Sequence, residues 1–258
     1  QQTMSPAPAR RGRTARRRYV GPGRGAQPIV IPRWLDASLV QAYRLGTAHA
    51  AAYMAAASPS ALAGGSAAFT TWATAHFPAR PTQLSQREER DIMRSVAAQR
   101  TPGQTRTARW FSRDGDKEIW SRELAAWQAS VSPAQAAWGA QLVEQARDVN
   151  ATINAAAKIA YGRQRPYAAD PQLHTVVARS NASSPSYPSG HSARAFMDAT
   201  IMGYLNPSRR SAYLAIARQM AMSRVYGGVH YPTDVVAGAW EGGLVAAWMI
   251  AANPRPRD

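Results

Sequence analysis

Three observations predict an all-helical fold. Apolar residues recur at three- and four-residue spacing, no alternating run of useful strand length occurs, and Pro, Gly and capping Ser residues punctuate the intervals. At 258 residues the chain is long enough for one substantial core. We read it as a basic tail over residues 1–27 and a single helical domain over residues 28–258. A hydrophobic content of 45% with eight tryptophans excludes a wholly disordered chain. The absence of cysteine excludes disulfides and thiolate chemistry.

The elements follow in order. Residues 1–25 carry Arg10, Arg11, Arg13, Arg16, Arg17, Arg18 and Arg24 and no acid, so they are expected to be a solvated, disordered tail. Pro22, Gly23, Gly25 and Pro28 end it. Trp34 to Ala57 is helical and stops near Ser58-Pro59, and a second helix covers about Leu62 to Ala75. Ser85 followed by Glu88 forms a capping-box pattern opening a helix to Gln99, which Thr101-Pro102-Gly103 breaks. Arg109 to Trp127 mixes Trp110, Phe111, Trp120 and Trp127, expected in the core, with a turn at Asp114-Gly115.

The next helix is the clearest. Ser132 caps it, Pro133 suits its first turn, and Trp138, Leu142, Gln145, Val149, Ile153, Ala156 and Ala160 give one mostly apolar stripe. Gly162 suits the position just past its end, which puts Lys158 in the last turn and Arg165 in the loop beyond. Ser189 and Gly190 begin a helix to about Leu205. Pro207 opens another that ends near Ser223–Val225, and Pro232 opens the last, which runs to about Ala251.

The chemistry-bearing residues fall at the ends of these last helices. Lys158 is one of two lysines among 31 basic residues. Ser189 and Gly190 stand at a helix N-terminus, where unpaired N–H groups and the positive dipole end attract anions, and Gly190 lets an oxyanion approach the backbone. Lys158, Arg165 and Arg224 can converge on one phosphate, the arginines with forked donors and the lysine as a compact charge. Asp234 lies four residues after His230 and can fix the tautomer of its imidazole, leaving the other nitrogen free to attack phosphorus. His191 can protonate the leaving oxygen and then activate water. Taken singly, each of these residues has an ordinary structural explanation, a satisfied histidine or a charge complementing a helix dipole. Three ordered clusters do not.

Lys158-x6-Arg165-Pro166, Pro188-Ser189-Gly190-His191 and Ser223-Arg224-x5-His230-x3-Asp234 resemble the three-part signature of the type 2 phosphatidic acid phosphatase (PAP2) superfamily, which also holds the vanadium haloperoxidases. The flanking Ser186-Tyr187 and Tyr226-Gly227-Gly228-Val229 look most like the soluble bacterial class A non-specific acid phosphatases. The resemblance covers residues 158–234 and says little about residues 1–100. It implies a helical bundle of that type, a phosphohistidine at His230, acid catalysis by His191 with Asp234 behind the nucleophile, and phosphate contacts from Lys158, Arg165, Ser189, Gly190 and Arg224.

The expected activity is therefore that of a metal-independent acid phosphatase, a phosphoric monoester hydrolase that acts on small phosphate monoesters and can also transphosphorylate. No cofactor is expected, and vanadate should inhibit. A metal is not expected, because nearby acids are few and a cation would compete with the three basic side chains. The alternative is a vanadate-dependent haloperoxidase, with vanadate as cofactor on His230; the chain length argues against it. A third, non-enzymatic alternative has the basic tail as the functional element of an anion-binding protein. The formal charge of +16 predicts attraction to anions, but the arginines lack interleaved aromatics, so no specific nucleic-acid partner is expected. Peripheral surface contact through the tail stays open, and a homodimer is expected from the class A resemblance. No transmembrane segment is expected: residues 45–79 are diluted with polar residues, and Gly242–Asn253 is too short to span. The chain begins with Gln1, from which a removed leader and a periplasmic or secreted location are expected. His49 and His76 are expected to be structural, while His174 could border the pocket. Asn150 and Asn181 fall in chance glycosylation sequons.

Overall fold

The computed structural model describes residues 21–79, 86–181 and 183–257, and these contain helices and no strands. The helices are α1 (Arg33–Ala56), α2 (Pro59–Ala63), α3 (Gly65–Ala75), α4 (Gln86–Ala98), α5 (Pro102–Trp110), α6 (Asp116–Gln128), α7 (Pro133–Tyr161), α8 (Pro166–Ala169), α9 (Gly190–Leu205), α10 (Arg210–Tyr226) and α11 (Pro232–Ala252). A π-helical turn, Phe111–Gly115, joins α5 to α6, and a 3-10 turn, Pro207–Arg209, precedes α10.

Helix α11 is the axis of the bundle, with α1, α7 and α9 packed around it. Glycines set how close they come. A Cβ on Gly46 of α1 would lie 2.1 Å from the Trp240 carbonyl oxygen, and one on Gly243 would lie 2.6 Å from that of Tyr43. On the other side, a Cβ on Gly238 would lie 2.6 Å from the Ser189 carbonyl and one on Gly242 2.3 Å from that of Ala193. No side chain fits at either seam. Backbone contact therefore locks the N-terminus of α9 onto the N-terminal half of α11, the two places where the second and third sequence clusters lie. The Ser189 amide donates to the Asp234 carbonyl at 2.9 Å and the Ser192 hydroxyl to the Val235 carbonyl at 2.6 Å, which fixes the register.

Helix starts follow the capping residues. Ser132 accepts from the Gln135 amide and Ser189 from the Ser192 amide. Gly162, at φ +52°, ends α7 in the left-handed conformation that favours glycine. Trp110, Phe111, Trp120 and Trp127 are all buried in the core. His49 accepts from the Trp240 indole at 3.1 Å, and His76 contacts the Trp72 carbonyl at 2.8 Å, each a structural contact.

Three local expectations change. Thr101-Pro102-Gly103 does break the preceding helix, but it also opens α5, with the Thr101 hydroxyl accepting from the Gln104 amide. Asp114-Gly115 is no turn out of the helix; the wide π-helical turn carries the chain straight into α6. The helix expected over 62–75 is two, divided at Gly64-Gly65, where Gly65 has φ +56°. The capping Ser85 and residues 1–20 of the basic tail lie outside the described residues. The rest of that tail rests on α5: the Gln27 amide donates to the Gly103 carbonyl and Arg106 donates to the Arg24 carbonyl.

By length and composition, α11 can cross a membrane. Counting from Gly242 misses this, because Glu241 and Asp234 interrupt the apolar run. In the fold both acids are fully buried and the helix has 21 residues. Most of it is covered by the other helices.

Candidate active site

The end of α7, the α8 entry, the start of α9 and the end of α10 meet beside the Gly227–Tyr231 loop, and the three sequence clusters meet with them. His230 is 2% exposed and its Nε2 lies 2.9 Å from an Nη1 of Arg165. Because guanidinium only donates, Nε2 is the acceptor there and carries the lone pair. The proton then sits on Nδ1, which faces Asp234 Oδ2 at 3.4 Å, a long contact off the ideal line. Arg165 also donates to the carbonyls of Ser184 and Val229 at 3.0 Å, which leaves its fork rigidly aimed.

Arg224 is 3% exposed, and its Nε and Nη1 find no partner among the described residues. Unpaired buried guanidinium donors are costly, and an anion is what satisfies them. Lys158 donates from Nζ to the Pro185 and Pro188 carbonyls at 2.8 and 2.7 Å, which bends its charge over the start of α9. Ser189 is fully buried and caps α9, with Gly190 next to it; a Cβ on Gly190 would meet Asn154 Oδ1 at 3.1 Å. His174 is exposed, and its carbonyl accepts from Arg100 at 2.7 Å.

The electrostatics follow from packing cations together away from water. Burial and the neighbouring Arg165 bring Lys158 down to about 8. Burial and Arg165 bring Arg224 down to about 10. Burial, then the Arg165 charge, lowers His230 to about 3 despite the Asp234 carboxylate, so its imidazole is neutral. His191 opens partly to the adjoining cleft, yet protein surrounds its ring; burial, then Arg224 and Arg194, hold it well below the ordinary histidine value. The nest therefore holds concentrated positive charge around a neutral imidazole with an available lone pair. Such an arrangement can bind a tetrahedral oxyanion and present a nucleophile to its centre.

Several residues at the site were given no role in the sequence analysis. Arg163 is buried and donates to Asp234 Oδ1 and Thr233 Oγ1, each at 2.8 Å, while its plane lies 3.9 Å from the Tyr231 ring centroid. Glu89, from α4, pairs with Arg163 and accepts from the Thr233 amide and hydroxyl. Ser186 donates to Asp234 Oδ2, as does the Tyr231 amide at 2.8 Å. The only available signal was the position of Arg163 two residues before Arg165. Nothing in the local sequence points to Glu89, which lies 74 residues away from Arg163.

This all-helical scaffold, with its cationic nest around an imidazole, corresponds to a known class. The PAP2 superfamily model matches residues 149–258, and this part of the chain is a PAP2 superfamily domain. Two curated relatives named lipid A 1-phosphatase match over short stretches: one from Rhizobium etli at 43% identity over 58 residues and one from Rhizobium johnstonii at 43% over 53. The matched stretches are 22% and 20% of this chain and cover about a quarter of those relatives' length, 25% and 22%. Among solved structures, a transmembrane PAP2 type phosphatidylglycerolphosphate phosphatase from Bacillus subtilis shares the fold at TM-score 0.52 and 22% identity, over 72% of this chain and 92% of that one.

These matches correct two expectations. The solved relative is a transmembrane enzyme, the curated relatives are named for a lipid, and α11 has the length and composition of a span. The expected soluble protein of the periplasm or the medium, with no transmembrane segment and a small-molecule substrate, does not stand. The physical reason for the error is that buried acids interrupt the hydropathy of α11. The matches are to phosphatases and lend the haloperoxidase alternative no support.

Proposed function

We propose that this chain is a PAP2-type phosphoric monoester hydrolase that is membrane-associated and removes a terminal phosphate from a lipid. The observation that carries the reading is Arg224: a buried guanidinium with two donors unpartnered among the described residues, beside Arg165 and His191. The relatives' names supply the lipid class. In this reading the phosphate sits among Lys158, Arg165, Arg224, Ser189 and the Gly190 amide, whose donors neutralise the equatorial oxygens in the transition state.

The Nε2 lone pair of His230 attacks phosphorus as Arg165 shifts from that nitrogen to a phosphate oxygen. The bond from phosphorus to the leaving oxygen breaks, and His191 gives that oxygen its proton. Neutral His191 then takes a proton from water, whose oxygen attacks phosphorus, and the P–N bond breaks to return His230. An alcohol in place of water gives transphosphorylation. Asp234 balances the proton on Nδ1 as charge develops on the ring. The fixed cations do the charge work, so turnover is metal-independent and vanadate acts as an inhibitor.

The test is His230→Ala, which should lower phosphate release from a lipid phosphomonoester at least a thousandfold, with the folded state verified by thermal melting. In the wild type, alkaline quench during turnover should leave a phosphoryl group on His230, detected by mass spectrometry. Full activity in His230→Ala, or activity abolished by chelator alone, would defeat the reading.

A further inference from the structure

Resting on the phosphatase reading above, attack by His230 depends on how Asp234 is held. Its Oδ2 accepts from the Tyr231 amide and the Ser186 hydroxyl and faces Nδ1 of His230, while Oδ1 accepts from Nη1 of Arg163 at 2.8 Å. Arg163 occupies an unspecified position of the first sequence cluster, in the turn just past Gly162. Its side chain is 4% exposed, so its charge needs counter-charge inside the fold. Asp234 supplies one carboxylate at Nη1, and Glu89 of α4 supplies another at Nη2. Glu89 is itself fixed by Thr233, whose amide and hydroxyl donate to its Oε1 at 3.0 and 2.7 Å. The same hydroxyl accepts from Nη1 of Arg163 at 2.8 Å. Gln86, also on α4, accepts from Nη2 at 3.3 Å and donates to the Tyr231 hydroxyl at 3.1 Å.

Glu89, Arg163 and Asp234 thus form a buried row of alternating charge that ends at the imidazole of His230. The row bears on the chemistry because attack by Nε2 turns a neutral ring into a cation. Asp234 answers that new charge, while Arg165 and Lys158 oppose it. How much of the Asp234 charge is left for the ring depends on Arg163. Shared between two carboxylates, the guanidinium draws on only part of it. With Glu89 neutral, the guanidinium charge falls on Asp234 alone, and less remains for the ring. The geometry acts in the same direction. Glu89 grips Nη2 and Thr233 grips Nη1, so the fork meets Oδ1 in one orientation and turns Oδ2 towards Nδ1. That last contact is 3.4 Å, long enough that a small rotation of the carboxylate decides whether it closes as the ring becomes charged. An ion pair that served stability alone would leave the phosphoryl-transfer step untouched.

We propose that Glu89 is a positioning residue for phosphoryl transfer: from α4, outside residues 149–258, it acts through Arg163 to hold Asp234 against the ring of His230. The experiment uses the full chain and dioctanoylglycerol phosphate as substrate. Glu89→Gln keeps the shape and removes the charge. It should lower kcat about tenfold, the scale of one hydrogen bond to a charged group, with KM within about twofold of the wild type. In an Arg163→Met background the same substitution should change kcat less than about twofold, because the effect travels through the guanidinium. A folded Glu89→Gln with wild-type kcat, a loss confined to KM, or losses that simply add in the double variant overturns the proposal. Should Glu89→Gln not fold, Thr233→Val decides: it removes the hydroxyl bridging Arg163 and Glu89 and leaves both charges. A several-fold lower kcat at unchanged KM supports the proposal there, and a wild-type kcat overturns it. Should the wild type release no phosphate, the phosphatase reading fails instead. The ring is then read directly by nitrogen-15 NMR. A His230 protonated on Nδ1 in the wild type and of mixed tautomer in Glu89→Gln or Thr233→Val supports the positioning role, and an unchanged ring overturns it.

Discussion

His191 and His230 are the residues whose protonation states matter most, and the fold pushes both towards neutral. For His191 this conflicts with its role as an acid, and the conflict predicts the pH dependence. Its pKa in the free protein lies well below the ordinary value, because of burial first and then the arginine charges. The proton is therefore present only at acid pH, and kcat/KM, which reports the free enzyme, should fall as pH rises towards 6.5. A bound phosphate dianion cancels the arginine charges and returns the proton, so kcat should hold to a higher pH than kcat/KM. Stopped-time assays from pH 3.5 to 9 measure both limbs. A kcat/KM still rising above pH 8 would remove His191 from the role of acid. Above about pH 8 a second loss should appear in KM, since Lys158 gives up its charge there.

At the scale of elements, helix packing is set by glycine and by backbone contact. Gly242 touches the Ala193 carbonyl, so Gly242→Val must force α9 off α11. The change should cost about 3 kcal/mol, at the upper end for an overpacked core, and denaturant titration should show it as a lower midpoint at nearly constant slope. An unchanged midpoint would mean that α9 and α11 do not meet backbone to backbone at this seam. The helix boundaries of α7, α9 and α11 were legible because each is marked by a residue with a local physical role: Ser132 and Ser189 as caps, Pro133 and Pro232 in first turns, Gly162 at a left-handed end. The π-helical turn at Phe111–Gly115 was not legible, because Asp-Gly is a turn signal by composition, whereas in the fold Gly115 lies against the Trp110 ring with no room for a Cβ. The nest residues were legible because their helix-terminal positions follow from those same boundaries. Glu89 and Arg194 were not, since their contacts depend on which helices become neighbours.

For the molecule as a whole, the burial of neutral imidazoles among arginines makes stability depend on acidity. Unfolded histidine takes up a proton near 6.5, while folded His230 does so only near 3. The unfolded chain thus binds more protons between those values, and this contribution to stability is full above pH 6.5 and is lost as pH falls towards 3. Thermal melting at pH 7.5, 5.5 and 4 should give a descending series. Millimolar inorganic phosphate should raise the melting temperature, more at pH 5.5 than at pH 9, because only the folded nest binds it. A melting temperature indifferent to phosphate at every pH would count against a preformed anion site. The span-like length and composition of α11 were the least legible property, because the helix keeps its two acids, Asp234 and Glu241, inside the fold, where they no longer break the apolar run.

Glu89 lies outside residues 149–258, yet its carboxylate sits under Arg163, which in turn steadies Asp234. The third cluster of the signature thus leans on a prop from α4, 74 residues before Arg163. Anyone excising the matched stretch as a minimal enzyme would strip out that prop, leave a sealed-in guanidinium with one of its two counter-ions, and recover a fragment that keeps every motif but not the stance of its nucleophile.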